Sequence, residues 1–353
     1  MSSVFIYLIF FAYTLVFAFF VHRFFLKKSR KYNIKKANIT AERWAAQNKP
    51  ISGGITFYVV FLFSIINYFF FFDNNFISNN HFIAIFLVIT ISFFMGLADD
   101  QINTSPYFKF IIQFISGIIL IHFDLYIQLF SNDYWNYALT LFWVIGIMNS
   151  INMLDNMDAV TSLISISILT AIIANIILLG IPSNRLYFFV SIGILAALFS
   201  FLYFNWKPSK MYMGDNGSQF LGAFLASISI IFIWNNTSDA NIHNETKQFL
   251  AVILVFLVPV IDTTTVTINR LLRKQSPFIG GKDHTTHHLY YLGFSEPIVA
   301  LLLTAINLLS VSFAVYILNF VKIWSFTYIL LFGGYALLMF LMLYVNTKIS
   351  KKI

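Results

Sequence analysis

Four clusters of carboxylate, amide and histidine side chains hold most of the residues in this sequence that could do chemistry. They are Asp99-Asp100, Asn152-x-x-Asp155-x-x-Asp158, Asp215 in the segment MGDNGS, and Asp283-His284-x-x-His287-His288. Carboxylate and amide oxygens suit hard cations such as Mg²⁺, and histidines can act as metal ligands, proton-transfer groups or phosphate donors. Because the clusters lie far apart in sequence, one reactive site requires a fold that brings four loops together.

Each of the first three clusters has a structural and a functional interpretation. The paired aspartates are either a solvated helix end or a carboxylate pair whose mutual repulsion a cation offsets. The asparagine–aspartate series, spaced every three residues, is either a capping turn or a stack of oxygen donors on one helical face. Asp215 is either an N-cap or a metal ligand at a helix N-terminus, where free N–H groups favour anions. Lys109 and Gln113, one helical turn apart, can face a phosphate.

The histidine segment lies among cations. Arg270, Arg273, Lys274 and Lys282 precede three of the seven histidines of the chain. The order of these histidines is not the HExxH of zinc peptidases. The surrounding positive charge favours an anionic ligand, so phosphate binding is the preferred interpretation. Asp262 lies inside an apolar stretch, where it is either functional or hydrogen-bonded to the neighbouring residues 263–265.

The elements that position these clusters are membrane helices. Apolar residues make up 59% of the 353 residues, charged residues only 10%, and the mean hydropathy is +0.79, a composition that excludes a water-soluble globule of this length. Eleven apolar stretches predict an all-α polytopic bundle in a single domain, residues 1–353. They run over 4–21, 53–72, 82–98, 107–121, 138–150, 159–180, 187–204, 218–234, 249–268, 298–319 and 325–344. Residues 138–150 are short for a span, so they are tilted, re-entrant or extended into their flanks, and ten spans is the alternative count.

Positive charge sets the predicted orientation. Of the 22 lysines and arginines, 19 fall in the odd-numbered loops and the C-terminal tail, nine of them within residues 22–50. The positive-inside rule therefore places those loops and the C-terminus in the cytoplasm and the N-terminus outside. The net charge of +8 is assigned to anionic head groups of the bilayer rather than to nucleic acid. The first stretch lacks a basic n-region and is interpreted as a retained helix. Without cysteine the chain has no disulfide or thiolate metal site.

Five motifs, in this order, resemble the polyprenyl-phosphate N-acetylhexosamine-1-phosphate transferase family. They are KPISGG at 49–54, LADD with the downstream Pro106, Lys109 and Gln113, then NMLDNMD, MGDNGS and DHTTHH. The resemblance spans nearly the whole chain. It implies transfer of a sugar 1-phosphate from a UDP-sugar to undecaprenyl or another polyprenyl phosphate, with release of UMP. The reaction would depend on Mg²⁺, with Mn²⁺ as an alternative, and would begin a cell-envelope polysaccharide at the cytoplasmic side of the inner (plasma) membrane.

The resemblance also implies residue roles. Asp215 would bind the metal together with Asp155. Asp99 and Asp100 would bind or activate the lipid phosphate, and Asp155 and Asp158 would help to organise the nucleotide and the metal, all four as catalytic residues. His287 would contact the diphosphate as a catalytic residue. The remaining predicted substrate-binding residues are Lys49, Lys109, Asn152, Arg270, Arg273, His284 and His288. The oligomeric state stays open, with a homodimer as one alternative.

Two departures from the family pattern bear on these expectations. Asn156 and Ala159 stand where the family often has glycine. The histidine motif reads His-Thr-Thr-His-His, closer to the branch that uses UDP-N-acetylglucosamine than to the phospho-MurNAc-pentapeptide translocase of peptidoglycan synthesis, which is the alternative. A cation-coupled transporter is a further alternative, because carboxylates at helix ends can bind a coupling ion, but it leaves the histidine segment and MGDNGS without a role.

Overall fold

The computed structural model describes residues 3–31, 49–72, 79–236, 244–276 and 281–350. Helices make up most of these residues, which confirms the predicted all-α class. In chain order they are α1 (Ser3–Lys31), α2 (Gly53–Phe71), α3 (Asn80–Ile102), α4 (Pro106–His122), α5 (Asp133–Leu154), α6 (Val160–Leu179), α7 (Arg185–Asn205), α8 (Asp215–Ser229), α9 (Glu245–Val255), α10 (Leu257–Leu272), α11 (Thr285–Tyr291), α12 (Glu296–Phe320), α13 (Phe326–Tyr328) and α14 (Gly334–Ile349). A π-helical turn, Ile230–Trp234, extends α8, and another, Ile329–Gly333, joins α13 to α14. Lys35, Lys36, Arg43, Lys351 and Lys352, counted in the charge pattern, lie outside the described residues.

All eleven predicted apolar stretches are helical. Within the described ranges, nine helices are long and apolar enough to cross a membrane, and α9 with α10 forms a tenth candidate that bends by 82°. The remaining predicted stretch, 107–121, is α4, which has only 17 residues. The short stretch 138–150 is the middle of α5, a helix of 22 residues, so extension into its flanks is the correct alternative. The protein is therefore a multi-pass membrane protein.

Helix α8 forms the centre of the bundle. Every residue from Asn216 to Ser229 is buried, and α3, α5 and α2 pack against it. Small side chains permit this close packing, because apolar helices in lipid associate through tight van der Waals contact. At Gly222, an added Cβ would meet the backbone of Met148 in α5 at 2.7 Å. The helix that begins with MGDNGS thus has its position fixed on all sides.

The odd-numbered loops gather at one end of the bundle. The segments that precede α2 and α8 pair there, with the Tyr212 N–H donating to the Pro50 carbonyl (2.9 Å) and the Gly53 N–H to the Tyr212 carbonyl (3.1 Å). Even-numbered loops meet at the opposite end, where the Asn235 side chain accepts from the Gln128 N–H and donates to the Tyr126 carbonyl. We call the first end the reactive end, because it holds all four predicted clusters.

Candidate functional site

Two aspartates from different helices share one lysine at the reactive end. Lys109 Nζ, in the first turn of α4, lies 2.7 Å from Asp99 Oδ2 and 2.6 Å from Asp215 Oδ2. Asp99 is in the last turn of α3, and its other oxygen accepts from the N–H and the hydroxyl of Thr104. Lys109 is part-exposed, with 23% of its side chain accessible. We call Asp99, Lys109 and Asp215 the aspartate centre.

Glycines permit the close approach that forms this centre. A Cβ on Gly54 of the KPISGG motif would overlap the backbone of Gly217, and one on Gly96 would overlap the backbone of Asp215. Both α2 and α3 therefore pack directly on the first turn of α8. The glycines of these motifs thus have a packing reason that the residue types alone do not reveal.

Asp100 has a different environment from Asp99. Its two oxygens accept from the backbone N–H groups of Asp215 (2.9 Å) and Asn216 (3.0 Å), and the Asn216 amide also donates to it. These N–H groups are the first of α8, so the anion at this helix N-terminus is a side chain from α3. Asp100 consequently fixes Asp215 in place.

Amide side chains extend the site one turn further along the helices. Gln113 and Asn149 exchange hydrogen bonds of 2.8 and 3.3 Å, and Gln113 also donates to Gln219 at 3.2 Å. Asn152 donates to Ser218 at 2.8 Å. Asn149 and Asn152 lie in α5 and hydrogen-bond to α4 and α8, whereas Asp155 and Asp158 of the predicted series lie beyond the end of the helix.

A second polar cluster surrounds Asp158. Asp158 accepts from the hydroxyl (2.8 Å) and the N–H (3.2 Å) of Ser209, and that hydroxyl accepts from Lys49 at 2.9 Å. Lys207 lies 4.0 Å from Asp158 and 2.6 Å from Glu296. Burial lowers the pKa of Lys49, with nearby Asp158 partly opposing the shift. Lys49 and Asp158, which are 109 positions apart in the chain, thus belong to one cluster.

The histidine segment is held by paired arginines. Arg270 binds Asp283 through two nitrogens, at 3.1 and 2.7 Å, and Arg273 adds a contact of 2.7 Å. Burial alone would raise the pKa of Asp283, but these guanidinium groups lower it to about 2. Arg270 is buried, whereas 43% of the Arg273 side chain is exposed. Of the two arginines, Arg273 is therefore the more accessible to a ligand.

The histidines stand on a short helix of their own, α11. His284 is its N-cap, and the His287 Nδ1 accepts from the His284 N–H at 3.3 Å. Burial, together with nearby His284, lowers the pKa of His287 to about 3, so its ring is neutral at physiological pH. His288 Nδ1 contacts the Ser350 hydroxyl. Thr286 donates to Asn156 at 2.6 Å, which joins this segment to the turn that carries Asp155.

Asp262 is a structural partner of that helix. It lies fully buried in α10 and accepts from His284 Nδ1 (2.8 Å), the Thr285 N–H (2.8 Å) and the Thr285 hydroxyl (2.6 Å). Of the two alternatives for Asp262, hydrogen bonding to residues 263–265 is not the one observed, because its partners are His284 and Thr285. Thr263 donates instead to Ser150.

The aspartate centre fits a divalent metal ion in part. Two carboxylates converge on one positively charged group, and Mg²⁺ is commonly held by one or two carboxylates plus phosphate oxygens. Among the described residues, no group of three or more histidines and carboxylates is arranged to hold a metal. Asp155 lies at the C-terminus of α5, and its role as a second ligand stays a prediction.

The structure thus brings together most residues that the sequence singled out. Asp99, Asp100, Lys109 and Asp215 meet directly, and Asn152 meets the first turn of α8. In the cluster around Asp158, three partners were not predicted as site residues: Lys207, Ser209 and Glu296. Ser209 precedes MGDNGS by only a few positions, but Lys207 and Glu296 are 89 positions apart and the sequence gives no signal that they pair.

Comparison with known proteins finds a family model that matches part of the chain. Residues 82–233, which run from α3 into the π-helical turn that extends α8, match the model described as glycosyl transferase family 4. The matched residues include the whole aspartate centre.

Named relatives are similar to the chain over longer ranges. The chain is 29% identical over 245 residues to a probable undecaprenyl-phosphate N-acetylglucosaminyl 1-phosphate transferase of Bacillus subtilis, covering 67% of this chain and 65% of the relative. It is 27% identical over 281 residues to a phospho-N-acetylmuramoyl-pentapeptide-transferase of Thermotoga maritima, covering 75% and 83%. A protein of that second name from Streptococcus thermophilus is 32% identical over 206 residues, covering 53% and 59%. The chain thus spans under two thirds of the Bacillus and Streptococcus relatives.

Proposed function

We propose that this protein transfers N-acetylglucosamine 1-phosphate from UDP-N-acetylglucosamine to undecaprenyl phosphate or a similar polyprenyl phosphate, releasing UMP. The observation that carries the proposal is the aspartate centre, in which Lys109 lies between Asp99 and Asp215. Names of relatives of both kinds support transfer of a phospho-sugar.

The chemistry explains why such a centre is needed. An oxygen of the lipid phosphate attacks the sugar-linked phosphorus of the UDP-sugar, and the bond from that phosphorus to the bridging oxygen breaks. UMP leaves with the electron pair. Both reactants are anions, so positive charge must offset their repulsion and the charge that develops on UMP. A bound Mg²⁺, held by Asp215 with Asp99 or Asp155, would supply part of that positive charge.

Several residues of the chain can offset this negative charge or orient the two substrates. Lys109 can turn its ammonium group from the aspartates to the lipid phosphate, while Asp99 lies beside the same point to orient it. Asp100 keeps Asp215 at the start of α8. Arg273, the half-exposed arginine of the histidine segment, can donate to the diphosphate, and charge-assisted hydrogen bonds are strong enough to orient it.

Orientation in the membrane follows from charge. The reactive end carries the basic loops, so it faces the cytoplasm, where UDP-sugars are made, and the enzyme belongs to the plasma membrane. The His-Thr-Thr-His-His motif favours UDP-N-acetylglucosamine as the donor. UDP-MurNAc-pentapeptide is the alternative that the Thermotoga and Streptococcus relatives support. The comparisons offer no support for a transporter.

Release of labelled UMP by the purified protein tests the proposal. We expect release from UDP-N-acetylglucosamine only when Mg²⁺ and polyprenyl phosphate are both present, and none from UDP-MurNAc-pentapeptide. Release from the pentapeptide donor alone would contradict the donor assignment and leave the reaction class intact. Release that does not need the lipid phosphate, or no release from either donor, would contradict the reaction itself.

A further inference from the structure

Asp262 is a fully buried carboxylate in a helix of the membrane bundle. Such a group is costly to bury unless hydrogen bonds satisfy it. One of its oxygens accepts from the N–H and the hydroxyl of Thr285, and the other lies 2.8 Å from His284 Nδ1. All three donors belong to the N-cap and the first residue of α11, so this carboxylate holds the start of that helix.

This contact fixes the tautomer of His284, and a separate backbone contact fixes that of His287. An ionised carboxylate can only accept, so Nδ1 of His284 carries a proton. The backbone N–H of His284, held in place at the start of α11, donates to Nδ1 of His287. A neutral ring that accepts at Nδ1 carries its proton at Nε2. His287 therefore presents Nε2–H as a hydrogen-bond donor.

A second contact attaches the same segment to the same helix. Arg270 lies eight residues after Asp262 in α10, about 12 Å further along the axis, and it binds Asp283 through two nitrogens. Helix α10 thus holds the start of the histidine segment from two points. A shift of either point would move the histidine rings as a body.

We propose that Asp262 is a positioning residue of the UDP-sugar site, which holds α11 so that His287 donates through Nε2–H to a phosphate oxygen of the UDP-sugar. This inference rests on the proposed function. In this arrangement His287 is a neutral donor, and the positive charge at the diphosphate comes from Arg273 and a metal ion. Asp262 affects the binding of the UDP-sugar only, because the lipid phosphate is bound at the aspartate centre on other helices.

Steady-state kinetics of the full-length Asp262→Asn protein test this role. Partners that orient a metal-bound histidine typically contribute 10–100-fold, and we expect an effect of similar size here, so KM for the UDP-sugar should rise by about tenfold. KM for polyprenyl phosphate should change less than about twofold, since only one substrate's binding is lost. Thr264→Val is the matched control, because Thr264 is an exposed residue of the same helix, and it should behave like wild type.

Variants of Thr285 keep the test decisive if Asp262→Asn folds poorly. Thr285→Val removes one donor to the carboxylate and should raise KM for the UDP-sugar. Thr285→Ser keeps the hydroxyl, so its KM should equal that of wild type.

A double mutant tests whether Asp262 acts through His287. In a His287→Ala background, Asp262→Asn should add less than about a twofold effect, because both changes act through one ring. Fully additive effects, equal changes in both KM values, or wild-type kinetics would overturn the proposal. Failure of the proposed function would appear separately, as no UMP release by wild type.

Discussion

At the scale of single residues, neighbours of one type have different environments. Asp99 contacts Lys109 and Thr104, whereas Asp100 accepts from the first N–H groups of α8. The sequence leaves open whether the pair is a solvated helix end or is offset by a cation, and in the structure Lys109 contacts Asp99. The sequence does not show which aspartate has which partner, because that depends on how the last turn of α3 faces a helix more than a hundred residues later.

Ala159 has a strained backbone conformation at a position where the family often has glycine. It precedes α6 with φ of +66°, in the left-handed region that favours glycine. Its N–H donates to Asn205, so the turn is held in this conformation by tertiary contact. The glycine that the family often has here fits the same backbone without strain.

We therefore expect Ala159→Gly to stabilise the protein by about 1 kcal/mol, since a left-handed conformation costs an L-residue roughly that much. Thermal unfolding of the purified protein in detergent measures the effect. Ala171→Gly, inside the regular part of α6, is the control and should lower the midpoint, because glycine weakens a helix interior. A lower midpoint for Ala159→Gly would contradict the strain.

At the scale of elements, apolar length predicts the helices well and their polar ends poorly. The stretch 138–150 appears short because the apolar pattern is interrupted before it by Asn136 and after it by Asn152. Both residues, and Asn149 within the stretch, lie in α5. Their side chains bond inside the bundle, to the 129–130 backbone and to α4 and α8. A membrane helix can therefore be longer than its apolar run, because polar residues that face other helices interrupt the run without ending the helix.

The bend between α9 and α10 could not be predicted from the apolar run 249–268. Pro259 is the only local signal in that run, and the partner that satisfies the broken backbone is remote. Asn307, buried in α12, accepts from the Val258 N–H at 3.3 Å and donates to Ser167 at 2.6 Å. Broken helices are tolerated in membranes only where such partners exist.

At the scale of the whole molecule, the convergence of distant loops was predictable and the contacts within it were not. Charge asymmetry assigns the four clusters to one side, and the structure brings them to one end of the bundle. The arrangement of two neighbouring groups at that end, one around Asp215 and one around Asp158, depends on packing that the glycines of separate motifs permit.

Orientation is tested by single cysteines, since the chain has none of its own. We expect cysteines at Ser105 and Ser276, exposed at the reactive end, to be protected from an impermeant thiol reagent in intact cells. Cysteines at Ser131 and Ser183, exposed at the opposite end, should react. Permeabilised cells are the control, in which all four should label. Labelling of the first pair from outside would invert the predicted topology.

The central claim is that the aspartate centre carries out the transfer, and the turnover of Asp215→Asn measures this most directly. The amide keeps the size of the side chain but loses the charge that both Lys109 and a hard cation require. We predict that UMP release falls by at least ~100-fold, about 2.7 kcal/mol of transition-state stabilisation. Asp124→Asn, an exposed aspartate at the opposite end, is the matched control and should retain full activity. Wild-type turnover by a folded Asp215→Asn protein, with unchanged Mg²⁺ dependence, would contradict the account.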